Sequence, residues 1–539
     1  MKITFISIVL TFVFSSKSSA FLKNLFSNSP DCPTQSLHAK KCPTGSSRIL
    51  DDTYPTQAVV ISNSPYNTSN LSYQTPGLFI LEAIKAYKDK DPDTIPLFII
   101  PIKQDNKIKR IKQLVEDNLR DYGYPSKFID KVIDKIVQAD TSGYTWQQDY
   151  FETFYNPSTG QPTLRNFDSY RSKFGKSRKS TEEITSVLSD SSCLTTTGSP
   201  LPNDPRSSGN GEMGGNLEGL PGGGCLYGDN LGDGLAQSIC QDKNDHSQIF
   251  TSWLKVGHVD EIIKITPGNK NTNVPSGCNF TINLASPMKA LEILENNPNQ
   301  KLLTPPALGV SPRPYYSNRL PKLCEIYQRI PTKKVQPTKP LPDVPQGSKG
   351  VYNLILPSNL YAKVGRKLKA KKRKECDEKI IKNMTNKDFV SGIKNSPKLF
   401  ELNKLIETTM NKNLQKIKST IFNRLPQCKP FIDVLKVPDY FYSESPANKM
   451  IETNGVKELS KEGDSISFFP SPTNGVFLNK TMIYSDNEVP AFRNFLAKSM
   501  KTRGNKARFI RTYEYSHMGQ GNLHCSSHTI PYCRPRGKN

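Results

Sequence analysis

Four side chains of this 539-residue sequence are of the types needed to open a guanidinium group: Asp149, His258, Asp260 and Cys525. A guanidinium is a planar, delocalised cation and a poor electrophile. Its hydrolysis requires carboxylates that hold the nitrogens, a strong nucleophile at the carbon, and a proton donor for the departing ammonia. Carboxylates match the guanidinium fork bidentately and hold its carbon still. A thiolate is the best protein nucleophile near neutral pH, and a bound cation itself lowers the pKa of a thiol beside it. An imidazole titrates in the range that lets it give and take the proton.

These residue types fall in three separated segments: Trp146-Gln147-Gln148-Asp149, Val256-Gly257-His258-Val259-Asp260-Glu261 and Gly521-Asn522-Leu523-His524-Cys525. Strand alternation over His258-Val259-Asp260 would put the imidazole and the carboxylate on one side. Each segment alone is unspecific. A lone His-X-Asp is more often a surface or structural pair, and a lone cysteine near a terminus is more often half of a disulfide. The cysteine count of 11 is odd, however, so at least one thiol is left over. Parity does not say which; the segment around it nominates Cys525.

The three segments need a scaffold. Residues 57–62 and 95–102 read as strands, residues 77–87 have helical spacing, and residues 107–119 and 126–138 are amphipathic helix candidates. Further strands are expected at 261–266, 280–285 and 476–484, and helices at 286–295, 402–421 and 489–501. The alternation points to an α/β architecture. Residues 198–234 are rich in Gly, Pro, Ser and Asn and read mostly as loop. Residues 331–349 form a Pro- and Lys-rich connector. No internal sequence repeat is visible.

The first residues read as an export signal over 1–20: Lys2, an apolar run at 3–14, then Ser18-Ser19-Ala20. That run is too short to span a bilayer comfortably, and no later stretch is long enough, so no membrane span is expected. A short leader follows at 21–50, with Cys32 and Cys42 a candidate pair. Export makes disulfides expected and makes the sequons at Asn67, Asn70, Asn279, Asn383 and Asn479 surface candidates for glycosylation. The net charge of +24 favours anionic surfaces or polymers as partners. The densest basic run, 366–374, has no nucleic-acid motif or interleaved aromatics beside it. It reads as a solvated face, and no specific nucleic acid is expected.

The three segments resemble the catalytic segments of the protein-arginine deiminases, in the same order. The likeness continues through Phe167-Asp168-Ser169, Gly215-Asn216-Leu217-Glu218, Ser252-Trp253-Leu254 and Leu284-Ala285-Ser286-Pro287, and covers most of residues 55–530. It implies a pentein fold, a five-fold pseudosymmetric α/β propeller of ββαβ-like units around a central site, with residues 51–539 as the catalytic domain. Trp146 lies near the start, so the N-terminal immunoglobulin-like domains of vertebrate members are expected to be absent.

Carried over position by position, Cys525 would be the nucleophile, Asp149 and Asp260 the guanidinium anchors, and His258 the general acid and then the base. Trp146 would line the stem of the substrate arginine. Arg171 matches a family arginine, while Lys173 stands where an arginine holds the substrate backbone. Gly519 replaces another arginine, and Ser526-Ser527-His528 departs from the family after the nucleophile. Calcium, which takes six to eight oxygens, is the implied cofactor. A first set would be Gln148, Glu152 and Glu218 with the carbonyls of Gly214 and Leu217. A second would be Asp168 and Ser169, weakened by Tyr150 and Ser172 where an acid and an amide are expected.

The expected activity is that of a secreted deiminase acting on arginine in peptides or proteins. Free arginine or another small guanidino compound is the alternative within the same chemistry, and an inactive pentein that binds anionic polymers is the alternative outside it. An acidic pocket around Asp149 and Asp260 is expected to overcome the basic surface at contact.

Overall fold

Runs of β-branched and aromatic residues that are buried on both faces set the strand positions, as in Ala58-Val59-Val60-Ile61 and Leu97-Phe98-Ile99-Ile100. A computed structural model describes residues 42, 49–62, 74–87, 92–103, 105–141, 146–156, 161–167, 176–191, 193, 196–198, 201, 213–240, 245–268, 273–275, 277–302, 384–443, 446–512 and 521–533. The expected export signal at 1–20, most of the expected leader, the 331–349 stretch and the 366–374 basic run lie outside these residues.

The strands in chain order begin with β1 (Thr56–Ile61), β2 (Leu97–Pro101), β3 (Ile136–Ala139), β4 (Phe151–Asn156), β5 (Gln161–Asn166) and β6 (Thr196–Thr197). Next come β7 (Leu217–Leu220), β8 (Gly224–Gly228), β9 (His246–Ile249), β10 (Ile263–Pro267), β11 (Phe280–Ser286) and β12 (Asp433–Pro438). Two small antiparallel pairs follow, β13 (Phe441–Tyr442) with β16 (Ile466–Ser467) and β14 (Met450–Thr453) with β15 (Val456–Leu459). The last are β17 (Val476–Leu478), β18 (Thr481–Ser485), β19 (Lys506–Ile510) and β20 (Ser527–Pro531).

One connection pattern recurs in five sheets. A first strand pairs antiparallel with a second, a helix follows, and a third strand returns parallel to the second. The sheets are β4-β5-β6, β7-β8-β9, β10-β11-β12, β17-β18-β19 and β20-β1-β2. The last joins both ends of the chain, carries β3 as an extra parallel strand, and is stapled just outside β20 by a Cys42–Cys533 disulfide. The crossover helices include Gln74–Lys85, Lys176–Asp190, Asp233–Cys240, Pro287–Glu295 and Pro490–Thr502. The longest helix, Pro397–Arg424, buries Leu402, Ile406, Met410, Ile417 and Ile421 at spacings of whole turns. Around it lies the largest apolar core, which includes Trp253, Phe389 and Tyr440.

Four expectations need correction. The helix over 126–138 ends at Asp134, because Ile136 and Val137 are drawn into the sheet opposite Phe98 and Ile99. The strand over 476–484 is a hairpin, β17-β18, turned at Asn479 and Lys480 with φ of 40° and 61°, the left-handed geometry that tight hairpins favour. Cys42 bonds Cys533 rather than Cys32. The stretch 198–234 is not mostly loop where it is described, since 217–220 and 224–228 form the β7-β8 hairpin. Its glycines serve close approach: a Cβ on Gly219 would lie 2.8 Å from the Asp51 nitrogen.

Candidate active site

The candidate residues Asp149, His258, Asp260 and Cys525 all lie in segments that lead into the first strand of a repeated unit. Gln147–Asp149 is a single 3-10 turn before β4, Gly214–Asn216 another before β7, and Val259–Glu261 a third before β10. Residues 471–475 lead into β17, and residues 522–526 into β20.

These five segments touch in a closed round. The Cys525 carbonyl accepts the Gln148 N–H at 3.4 Å. Gly214 packs so tightly on Gln148 that a Cβ would lie 2.0 Å from its carbonyl oxygen. Gly215 faces His258 and Asp260. The Asn474 amide donates to the Asp260 carbonyl at 3.2 Å, and Thr473 Oγ1 donates to the Glu261 carbonyl at 2.7 Å. The Asn474 carbonyl in turn accepts the His524 N–H at 3.1 Å. Five starts, one from each unit, therefore enclose one place.

Cys525 is buried there as a free thiol, while Cys225–Cys240 and Cys278–Cys428 are disulfides. Its S–H donates to Asp260 Oδ2 at 3.5 Å, and the Asn474 amide donates to Sγ at 3.2 Å. Burial first, then the charge of Asp260, with Asp149 and Glu261 behind it, holds the thiol well above its ordinary pKa. The surroundings of the sulfur are thus negative, in a chain whose net charge is +24. A guanidinium entering them supplies the missing positive charge and favours the thiolate.

Asp260 is fully buried and still ionised. Burial pushes its carboxyl up, but the His524 hydrogen bond, with the nearby positive charge that includes Lys264 behind it, outweighs burial and holds it below its ordinary value. Its Oδ2 accepts from His524 Nδ1 at 2.9 Å. Its Oδ1 has no hydrogen-bond partner among the described residues and could receive an N–H from a bound molecule.

His258 and Asp149 complete the group, with Nδ1 and Oδ1 at 3.8 Å. His258 and Asp260 do share a face, but not by strand alternation: His258 is the N-cap of the 259–261 turn, and its N–H is held by Glu261 Oε1 at 3.0 Å. Glu261 is therefore a positioning group, and burial pushes its carboxyl up to about 8. Trp146 is partly exposed, with its ring on Gly521, where a Cβ would lie 2.4 Å from the indole. Arg171, Lys173 and Gly519 lie outside the described residues.

The first implied calcium set gathers here, with the side chains of Gln148 and Glu152 already engaged by protein groups. Gln148 Oε1, which would be a ligand, accepts from His528 Nδ1 at 2.7 Å, and the Gln148 amide nitrogen faces Glu152 Oε2 at 3.2 Å. Glu152 Oε1 accepts the Thr153 N–H at 3.0 Å. Burial then holds the His528 imidazole neutral, pushing its pKa down to about 3. The Lys264 ammonium already stands among the acids, ion-paired with Asp52. Asp168 and Ser169, of the second set, lie outside the described residues.

Two residues of consequence were not picked out from the sequence. Asn474 sits in a Pro-Ser-Pro-Thr-Asn-Gly stretch that reads as an ordinary turn, and Lys264 reads as an outward residue of an alternating strand, yet it is 2% exposed.

A model of the protein-arginine deiminase family matches residues 237–533, more than half of the chain, and spans His258, Asp260 and Cys525. No curated protein matches the chain. Among solved structures it is similar to the agmatine deiminase of C. jejuni, at 10% identity and a TM-score of 0.42 over 91% of this chain and 97% of that one. A putative arginine deiminase from Porphyromonas gingivalis scores 0.40 at 11% identity, over 91% of this chain and 99% of that one. An agmatine deiminase of Enterococcus faecalis scores 0.38 at 11% identity, over 92% and 100%. The family match carries the assignment, and the recurring sheet unit accords with the pentein-type deiminase fold. The chain belongs to the protein-arginine deiminase family.

Proposed function

We propose that this member of a family of guanidino deiminases converts arginine within peptides or proteins to citrulline and ammonia, with Cys525 as the nucleophile. The observation that supports it most is the buried free thiol of Cys525, held by Asn474 and Asp260 beside Asp149 and His258.

In this reading Asp149 and Asp260 grip the guanidinium nitrogens, and the bound cation lowers the thiol pKa. His258 takes the Cys525 proton and Sγ attacks the guanidinium carbon, giving a tetrahedral adduct. His258 protonates one nitrogen, the C–N bond breaks and ammonia departs, leaving a thiouronium on sulfur. Water enters, gives its proton to His258 and attacks the same carbon. The C–S bond then breaks, His258 returns its proton to the sulfur, the adduct hydroxyl gives its proton to solvent, and citrulline leaves.

Trp146 is the group we assign to the aliphatic stem of the arginine, with Arg171 and Lys173 toward the peptide backbone. We read the five units as the blades of a pentein fan. Disulfides among the described residues, Cys42–Cys533, Cys225–Cys240 and Cys278–Cys428, and the apolar first residues support an exported protein. Among the described residues no helix is long and apolar enough to cross a membrane.

The test is citrulline formation from a blocked arginine peptide, free arginine and agmatine, by wild type and Cys525→Ala. Turnover of the peptide, lost in the variant, supports the proposal. Turnover of only the free compounds would move the substrate to small guanidines, and none on any substrate would remove the enzymatic reading.

A further inference from the structure

Lys264 projects from β10 into the protein and ends among three groups whose ligand atoms lie within 4.8 Å of one another: Asp52, Glu218 and His524. Its ammonium is ion-paired with Asp52 Oδ2 and contacts His524 Nε2 at 2.7 Å. Asp52 is anchored in turn, accepting from Thr529 Oγ1 of β20 at 3.0 Å. A set that could otherwise hold a metal ion thus already contains a cation supplied by the chain.

The same contact fixes a tautomer. An ammonium only donates, so His524 Nε2 must accept, and the ring proton sits on Nδ1. That proton is donated to Asp260 Oδ2 at 2.9 Å, which leaves Asp260 Oδ1 as the oxygen without a partner. Asp52, Lys264, His524 and Asp260 form one line from the sheet edge to the proposed guanidinium anchor. Beside it, Gln148 and Glu152 spend oxygens on His528, Thr153 and each other rather than on an open coordination site.

We propose that Lys264 is a positioning residue whose ammonium takes the place of a dissociable cation: it fills the acidic cluster, locks His524 onto Asp260, and makes this site independent of calcium. The catalytic consequence rests on the deiminase reading above; the occupancy of the cluster does not.

The experiment measures calcium binding by equilibrium dialysis on the full chain, for wild type, Glu218→Gln, Lys264→Ser and the Lys264→Ser/Glu218→Gln pair, with citrulline assays in chelator and in calcium. Wild type is expected to bind no calcium that Glu218→Gln removes, and to turn over within about twofold the same rate in both media. Lys264→Ser is expected to gain a calcium site that the double variant loses. Its turnover in chelator should fall roughly tenfold or more, and calcium, not magnesium, should restore part of it. A merely structural lysine would give no such gain.

A wild-type calcium site that Glu218→Gln abolishes, or wild-type turnover that stops in chelator, overturns the proposal. So does a folded Lys264→Ser that gains no calcium. If Lys264→Ser does not fold, the wild-type dialysis decides alone. If no guanidino substrate is turned over in either medium, the deiminase reading fails and the dialysis still decides the occupancy of the cluster.

Discussion

Asn474 holds Cys525 at two points: its Nδ2 donates to Sγ at 3.2 Å, and its Oδ1 accepts the Cys525 N–H at 3.1 Å. The first contact favours the thiolate and the second fixes the backbone that carries it. Together they tie the unit that begins at β17 to the one that begins at β20.

Removing that amide should therefore cost both rate and order. Asn474→Ala leaves the buried Cys525 N–H unpaired, a loss of about 1–3 kcal/mol. Turnover should fall roughly 100-fold, because small displacements of a reacting atom cost that much. Asn474→Asp should do worse, since a further negative charge beside the sulfur raises the thiol pKa again. Thermal melts and citrulline kinetics on the two variants check this, and equal turnover in Asn474→Ala would remove Asn474 from the site.

The raised thiol pKa yields a prediction with opposite signs for two readouts. Asp260, and behind it Asp149, push the Cys525 thiol up, so the free protein should react slowly with neutral iodoacetamide at pH 8. Asp149→Asn removes one of those charges. Alkylation should then quicken several-fold while turnover of arginine is lost, because the same carboxylate is the proposed substrate anchor. A cationic reagent such as chloroacetamidine should show the reverse order, fast on wild type and slow on the variant. Mass spectrometry of Cys525 against time separates the outcomes.

The sequence nominated a site more readily than it showed an architecture. Asp149, His258, Asp260 and Cys525 were picked out because their three segments, unspecific one by one, together resemble the catalytic segments of one family in the same order. The five-fold recurrence was legible only through that resemblance, because it resides in hydrogen-bond direction and not in residue identity: the lead-ins to β4, β7, β10, β17 and β20 share a place but no common sequence. Asn474 was hidden for that reason, since its role follows from occupying the position that Asp149 and Asp260 occupy in other units. The β7-β8 hairpin was hidden by its glycines, which look like flexibility in the sequence and are contact points in the fold. Lys480 at φ 61° masked a turn, because lysine is seldom chosen where the backbone is left-handed.

Glu261 links the cap of the 259–261 turn to the pH dependence of the fold. Its carboxyl is pushed up by burial to about 8 from an ordinary 4.5, so the folded state holds a proton that the unfolded chain has released. A raised folded pKa gives stability that is complete below the unfolded value and lost as pH rises through the folded one. The melting temperature should accordingly rise as pH is lowered from 8 toward 6.5, and Glu261→Gln should reduce that slope. Below 6.5 His528 opposes the trend, since its folded pKa of about 3 means that only the unfolded chain takes up that proton. Melting curves at half-unit steps test both signs, and an identical slope in Glu261→Gln would show that the proton is bound elsewhere.

Gly215 offers the sharpest separation of geometry from stability. A Cβ at this position would lie 2.6 Å from His258 Nδ1 and 3.2 Å from each oxygen of Asp260. The methyl group of Gly215→Ala must therefore displace the imidazole, the carboxylate or its own turn, and it occupies space that a substrate guanidinium would need. The strain of one added methyl group in a tight site is about 1–3 kcal/mol. A large fold should tolerate that, whereas moving a proton donor off its line should lower turnover roughly 100-fold. The expected variant is folded and nearly inactive, with calcium having no effect on it. A Gly215→Ala protein with wild-type turnover would mean that His258 and Asp260 do not act across the face that Gly215 leaves open.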